Sequence, residues 1–124
     1  MARARIRIKW LEEPEEHDYP AAESFLSLVF KPKVVSRAVE QLRGAPITQF
    51  KARDIFRASG LSLLGMSNSH LERDRQKIRA GRRLSPLLLV RDKARGRVIV
   101  ADGYHRLCAV YHFDDDALIP CKIV

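Results

Sequence analysis

The sequence predicts an α+β fold, and three observations carry that prediction. An apolar/polar alternation opens the chain, helical-period runs follow it, and the C-terminal third holds three β-rich runs around one helical segment. A length of 124 residues with 46% hydrophobic content supplies one core and little more, so residues 1–124 are expected to form a single domain.

Each element has its own signal. From Arg5 to Trp10, Ile6, Ile8 and Trp10 alternate with Arg5, Arg7 and Lys9, as in a half-buried strand that EEPEEHDYP then breaks. From Ala21 the apolar positions Phe25, Leu28 and Val29 recur at helical spacing. A second helical run, Lys33 to Leu42, carries Val34, Val35, Ala38, Val39 and Leu42 before Gly44, and the two helices are expected to pair. Pro46 opens a short strand through Phe50, ARDIFRASG reads as a helix stopped by Gly60, and LSLLGMSNSH reads as a loop. Ser67 or Ser69 can cap a helix that runs to Ala80 and ends at Gly81. Its apolar stripe is thin, with Leu71 and Ile78 inward, which predicts a surface helix. SPLLLVRD and RVIVAD flank KARG as a hairpin, and IPCKIV makes a last strand. Trp10, Phe25, Phe30, Phe50 and Phe56 are expected in the core.

Charge points to an anionic partner. The net charge is +8, and between Glu72 and Arg97 ten Lys or Arg face three acids, a local net of +7; Glu12 to Glu23 holds six acids and no Lys or Arg. Such runs read first as solvated faces. The alternative is a small basic nucleic-acid-binding module using Arg73 to Arg97, with Arg75, Arg79 and Arg83 on backbone phosphates, and it requires these cations to gather on one side. Cys108 and Cys121 form no C-x-x-C pair and read as buried free thiols. MARARIRIKW lacks the apolar core of a secretory signal and no run is long enough to span a membrane, so a cytoplasmic protein is expected.

The stretch VIVADGYHRLCAVYHF places Asp102, Gly103, His105 and Arg106 where a β-rich run ends. Asp-Gly also suits a type I′ hairpin turn, and YHRLCAVYHF has the composition of a strand. Against that, Leu107, Val110 and Tyr111 share one helical face, Tyr104, Cys108 and Tyr111 an adjoining one, and DDD supplies a polar exit. In the helical reading Gly103 lets a ligand approach the backbone, and the free amides of Tyr104, His105 and Arg106 form an anion cradle. Arg106 adds a planar fork for phosphate oxygens and His105 a donor that titrates near neutrality. Asp102 either caps the helix or, in the second reading, holds a Mg²⁺ that rides with a nucleotide's phosphates. For His105 and Arg106 the bland reading is a surface pair beside Asp114 to Asp116.

From about Lys51 onward the order of parts resembles the ParB/sulfiredoxin-like superfamily: the DIF helical turn, a loop and helix, SPLLLVRD, RVIVADGYHR and a closing strand. The whole chain is similar to small bacterial ParB-like proteins in which ADGYHR and IPCKIV are typical. The resemblance implies a small mixed β-sheet flanked by helices, with a nucleotide phosphate at the helix opened by G-x-H-R. Relatives also place hydroxyls and a basic residue near that ligand, which implies Ser67, Ser69 and His70, with Lys51 reaching in from a strand end. The implied ligands are ATP, ADP or CTP with Mg²⁺, or a phosphorylated small molecule.

Departures narrow the expectation. Sulfiredoxins have a reactive cysteine between Gly and His, where Tyr104 stands, and Cys108 lies one helical turn further in, so cysteine-sulfinate repair is not expected. ParB partition proteins bind CTP and follow the turn with a helix-turn-helix; 18 residues follow Arg106, so that form of DNA partitioning is not expected either. DGYHR does fit the D-G-x-x-R turn of free-serine kinases of the same superfamily. A phosphotransferase or nucleotide hydrolase would also need a proton acceptor, which Glu12, Glu13, Glu15, Glu16, His17 or Asp18 can supply if the acidic segment folds over the turn. Spacing selects none of these six, and each reads first as part of a hydrated loop.

Overall fold

Eleven elements fill residues 7–63 and 69–124, which the computed structural model describes, the side chains of Ser69 and His70 excepted. In chain order they are β1 (Lys9–Trp10), α1 (Asp18–Leu26), α2 (Pro32–Gly44), β2 (Thr48–Lys51), α3 (Ala52–Ser59), α4 (Ser69–Arg79), β3 (Arg83–Leu84), β4 (Leu87–Asp92), β5 (Arg97–Asp102), α5 (Tyr104–Phe113) and β6 (Leu118–Ile123). The result is a mixed α+β fold.

The main sheet runs β2-β6-β4-β5. β4 lies antiparallel to β5 and parallel to β6, and β6 lies antiparallel to β2, which makes the sheet mixed. Because strand side chains alternate, β4 feeds two cores at once: Leu87 and Leu89 face α3, α4 and α5, while Leu88 and Val90 face α1 and α2. Burial on both faces explains why LLLV is an unbroken apolar run. Ile99 and Ala101 of β5 join the α1–α2 side, and Val100, with Ile119 and Cys121 of β6, joins the other. Each fully buried Leu contributes about 1.5–3 kcal/mol relative to leaving it in water.

The expected helices form, with one change of phase. α1 starts at Asp18 rather than Ala21, with Pro20 in its first turn, where the missing N–H would have had no helical acceptor. It buries Tyr19, Ala22 and Leu26, not the expected stripe: Phe25 is 44% exposed, Leu28 85% and Val29 38%. The helix stops at Leu26, whose carbonyl takes the amides of Val29 and Phe30, so Leu28 and Val29 lie in a turn rather than on a helical face. Phe25 is therefore not a core residue. α2 pairs with α1 as expected and buries Val35, Ala38, Val39 and Leu42.

α3 ends at Gly60, whose φ of +67° gives the left-handed cap that glycine adopts without strain. α4 is a surface helix with Leu71 and Ile78 buried, as expected, and it begins by Ser69, inside the stretch read as a loop. KARG closes the β4–β5 hairpin, where Asp92 accepts from Arg95 and Arg97. β3, which no pattern announced, pairs in parallel with β1 and brings Leu84 into the core. The alternation of Ile8 and Trp10 inward with Arg7 and Lys9 outward holds; Arg5 and Ile6 lie outside the described residues. Among the described residues no helix is long and apolar enough to cross a membrane.

Candidate functional site

β5 delivers the chain to Asp102, Gly103 turns it, and α5 begins at Tyr104. The strand-turn-helix reading holds, and the hairpin reading does not. The first helical bond from this turn is Leu107 N–H to the Gly103 carbonyl at 2.9 Å, so the amides of Tyr104, His105 and Arg106 precede the helical ladder. Gly103 is the N-cap, so Asp102 does not occupy the capping position expected for it. Internal packing also demands a glycine here. Its φ is +106°, and a Cβ there would stand 2.8 Å from Leu87 Cγ and 2.9 Å from Arg106 Nη2.

Arg106 is turned inward, with 17% of its side chain exposed. Its Nη2 donates to Asp102 Oδ2 at 3.1 Å and to the Pro86 carbonyl at 3.4 Å, and stands 3.5 Å from Asp18 Oδ2. Asp18 is 2% exposed, and its Oδ2 also accepts from the Ser85 hydroxyl, whose oxygen takes the Glu15 amide at 3.0 Å. The acidic segment thus does fold over the turn. For Asp18 the hydrated-loop reading is overturned, because a buried guanidinium needs a carboxylate partner and β4 begins beside it. Burial raises the pKa of Asp102; Arg106 opposes this and Asp18 reinforces it.

Other acids of the segment hold different cations. Glu16 pairs with Arg43, and Glu13 meets Lys122 at 3.1 Å. Lys122 is 1% exposed and donates to the Arg43 carbonyl at 2.8 Å. Burial works against its charge, yet its hydrogen bonds with Glu13 and Tyr19 hold its pKa above the usual lysine value.

α4 closes the other side of the turn. Arg73, Asp74 and Lys77 face residues 102–106 across a cleft of about 180 Å³. Arg73 and Lys77 are neighbours at i, i+4, and Asp74 and Arg75 fill the gap in the stripe between Leu71 and Ile78. Burial raises the pKa of Asp74, against the pull of Arg106, Lys77, His105 and Arg73. The Tyr104 hydroxyl donates to the carbonyl of Ser62, two residues past the Gly60 cap of α3, and its ring lies 5.6 Å from His105. Burial, then Cys108, raises the Tyr104 pKa. The cleft therefore holds three permanent cations, an imidazole, two carboxylates with raised pKa and the start of a helix.

The structure gathers some of the expected residues and separates others. Gly103, Tyr104, His105 and Arg106 line the cleft with Asp102. Ser67 and the side chains of Ser69 and His70 lie outside the described residues. Lys51 pairs with Asp116 at 3.1 Å, shared with Arg53 at 3.0 Å, and does not line the cleft. Arg75 pairs with Glu72 at 2.9 Å, and the guanidiniums of Arg75 and Arg79 lie 5.6 and 5.7 Å from the Phe113 ring centre. Arg83 is exposed beside the Trp10 carbonyl. Arg97 begins β5 and Asp102 ends it, ~17 Å apart by strand rise, so the basic stretch is divided between two ends of the sheet.

Asp18, Ser85, Arg73, Asp74 and Lys77 were not singled out as site residues by spacing. The acidic run that includes Asp18, the basic stretch that begins at Arg73 and the charged gap at 74 and 75 in the α4 stripe were the available signals.

Asp74 and Asp102 are the carboxylates that line the cleft, and a Mg²⁺ bound alongside phosphate takes one or two such groups. Among the described residues no three metal-binding side chains cluster, so an all-protein metal cage does not fit. No protein-family model matches the chain, and no curated protein or solved structure matches it.

Proposed function

We propose that this is a ParB-like domain of the ParB/sulfiredoxin-like superfamily that binds a nucleotide, or another phosphate-bearing ligand, at the turn from Asp102 to Arg106. One observation carries the reading: the first three residues of α5, Tyr104, His105 and Arg106, line a single cleft with Arg73 and Lys77. A helix start and its dipole favour an anion there, and Arg73 and Lys77 add charge that a neutral ligand would leave unused, while Arg106 is already paired with Asp102 and Asp18. Asp74 and Asp102 oppose a bare phosphate but suit one that brings Mg²⁺, which favours ATP, ADP or CTP with the metal over inorganic phosphate.

The enzymatic use that fits is phosphoryl transfer or nucleotide hydrolysis. Asp74 is the proton acceptor this reading selects, leaving Asp102 for the metal, since Asp74 faces the cleft with a raised pKa while Asp18 is spent on Arg106 and Ser85. Sulfinate repair gains no support, because Cys108 is fully buried. Two buried free thiols suit a reducing compartment such as the cytoplasm.

Thermal stability with ATP, ADP and CTP, each with and without Mg²⁺, tests the proposal. At a hundredfold excess over Kd a ligand adds about 2.7 kcal/mol, a rise of several degrees. The rise should shrink in Arg73→Ala and Lys77→Ala, which sit on the exposed side of the cleft, and in Arg106→Lys, which keeps the charge and loses the fork. No rise with any nucleotide in the intact protein would overturn the reading.

A further inference from the structure

At the other end of the sheet, α2 and the β4–β5 hairpin enclose a groove of about 300 Å³. Its floor is apolar, formed by Phe30, Val34 and Val90, with Val34 49% exposed. Its rim is cationic. Arg37 comes from α2 one turn beyond Val34, and Arg91 and Lys93 come from the hairpin; all three are exposed. No carboxylate lies within ion-pair distance of these three among the described residues. Among the described residues the acidic side chain in the lining is Asp92, which is 4% exposed and holds Arg97 Nε at 3.3 Å and Arg95 Nη1 at 3.4 Å; Val124, also in the lining, accepts the Arg91 amide at 2.7 Å.

We infer that this groove docks an acidic peptide segment of a partner protein, one apolar side chain seated on the floor and flanking carboxylates on Arg37, Arg91 and Lys93. The charge complementarity selects the occupant. Cations from two distant stretches converge here without ion-pair partners among the described residues, and they surround an apolar surface that water covers poorly. A nucleic acid backbone would use the rim but leave the concave floor unfilled, since it presents no apolar side chain. A neutral apolar peptide would fill the floor and bury cations without compensation. The groove begins at Val90, ~10 Å along β4 from the Leu87 that packs beside Gly103, and shares no lining residue with the cleft, so this inference is independent of the phosphate-binding reading.

Selection of random displayed peptides of about a dozen residues on the full chain tests it, followed by fluorescence anisotropy on the enriched sequences. Enriched peptides should carry Asp or Glu around one large apolar residue. Their affinity should fall about tenfold or more in Arg37→Glu/Lys93→Glu and fall again as salt is raised to about 0.3 M. Val34→Asp should also weaken binding, whereas Arg73→Ala/Lys77→Ala in the phosphate cleft should not. The substituted rim positions are exposed, so an unchanged melting temperature will show that the variant is folded. Failure to enrich acidic peptides, or affinity indifferent to rim reversal, overturns the inference. So does single-stranded DNA or RNA whose binding the same reversal abolishes, which would assign the groove to nucleic acid.

Discussion

At Gly103 two constraints coincide, a φ of +106° and a Cβ position only 2.8 Å from Leu87 Cγ. Gly103→Ala should therefore cost about 1–3 kcal/mol in denaturant unfolding, through backbone strain and displacement of Arg106. Asp18 and Glu15 differ in the opposite sense although both are acids of one segment. Asp18→Asn leaves the Arg106 guanidinium short of a buried counter-charge and should cost about 1–3 kcal/mol, whereas Glu15→Gln, with its side chain 45% exposed, should cost less than about 1 kcal/mol. Equal costs would mean that Asp18 does no more than an exposed carboxylate does. This contrast was not legible in EEPEEHD: what buries Asp18 is Arg106 and Ser85, far along the chain, and local sequence carries no record of that meeting.

Among the elements, α4 depends most on a single neighbour. Phe113, at the end of α5, lies beneath the guanidiniums of both Arg75 and Arg79. Phe113→Ala should cost about 1–3 kcal/mol and raise amide hydrogen exchange in α4 more than in α2. Uniform loosening of all helices would contradict this docking. The helix α5 itself was legible, because Leu107 and Val110 at helical spacing outweighed the β propensity of Tyr, Val and Phe. The strands β4 and β5 were legible for the same kind of reason, two β-branched or leucine runs around a glycine-bearing turn. The phase of α1 was not. Phe25, Leu28 and Val29 are the more apolar set, yet the sheet face made by Leu88, Val90, Ile99 and Ala101 takes Tyr19, Ala22 and Leu26. Which residues a helix buries depends on where it starts and what it lies upon, and only the first of these leaves a local trace.

For the whole molecule, the two raised carboxyls set a pH dependence. Asp74 and Asp102 bind protons more readily folded than unfolded, so their contribution to stability is lost as pH rises through their folded pKa values and restored as pH falls toward the ordinary value of 3.8. Asp92, held low by Arg97 and Arg95 although burial opposes this, works the other way and loses its contribution as pH falls through its lowered pKa. Asp74→Asn should thus raise the melting temperature by a few degrees at neutral pH, with the gain vanishing near pH 3.8. The same variant should bind nucleotide without Mg²⁺ more tightly than the parent, because one repelling charge has gone. A gain that persists undiminished at acid pH would contradict the assignment to Asp74 ionisation.

The central claim is that the amides opening α5 meet a phosphate. Two-dimensional ¹⁵N–¹H NMR during titration with ADP and Mg²⁺ tests it most directly. The account predicts the largest shifts at the amides of Tyr104, His105 and Arg106, with smaller ones at Arg73 and Lys77. Shifts confined to other parts of the chain, or none at saturating ligand, would contradict it.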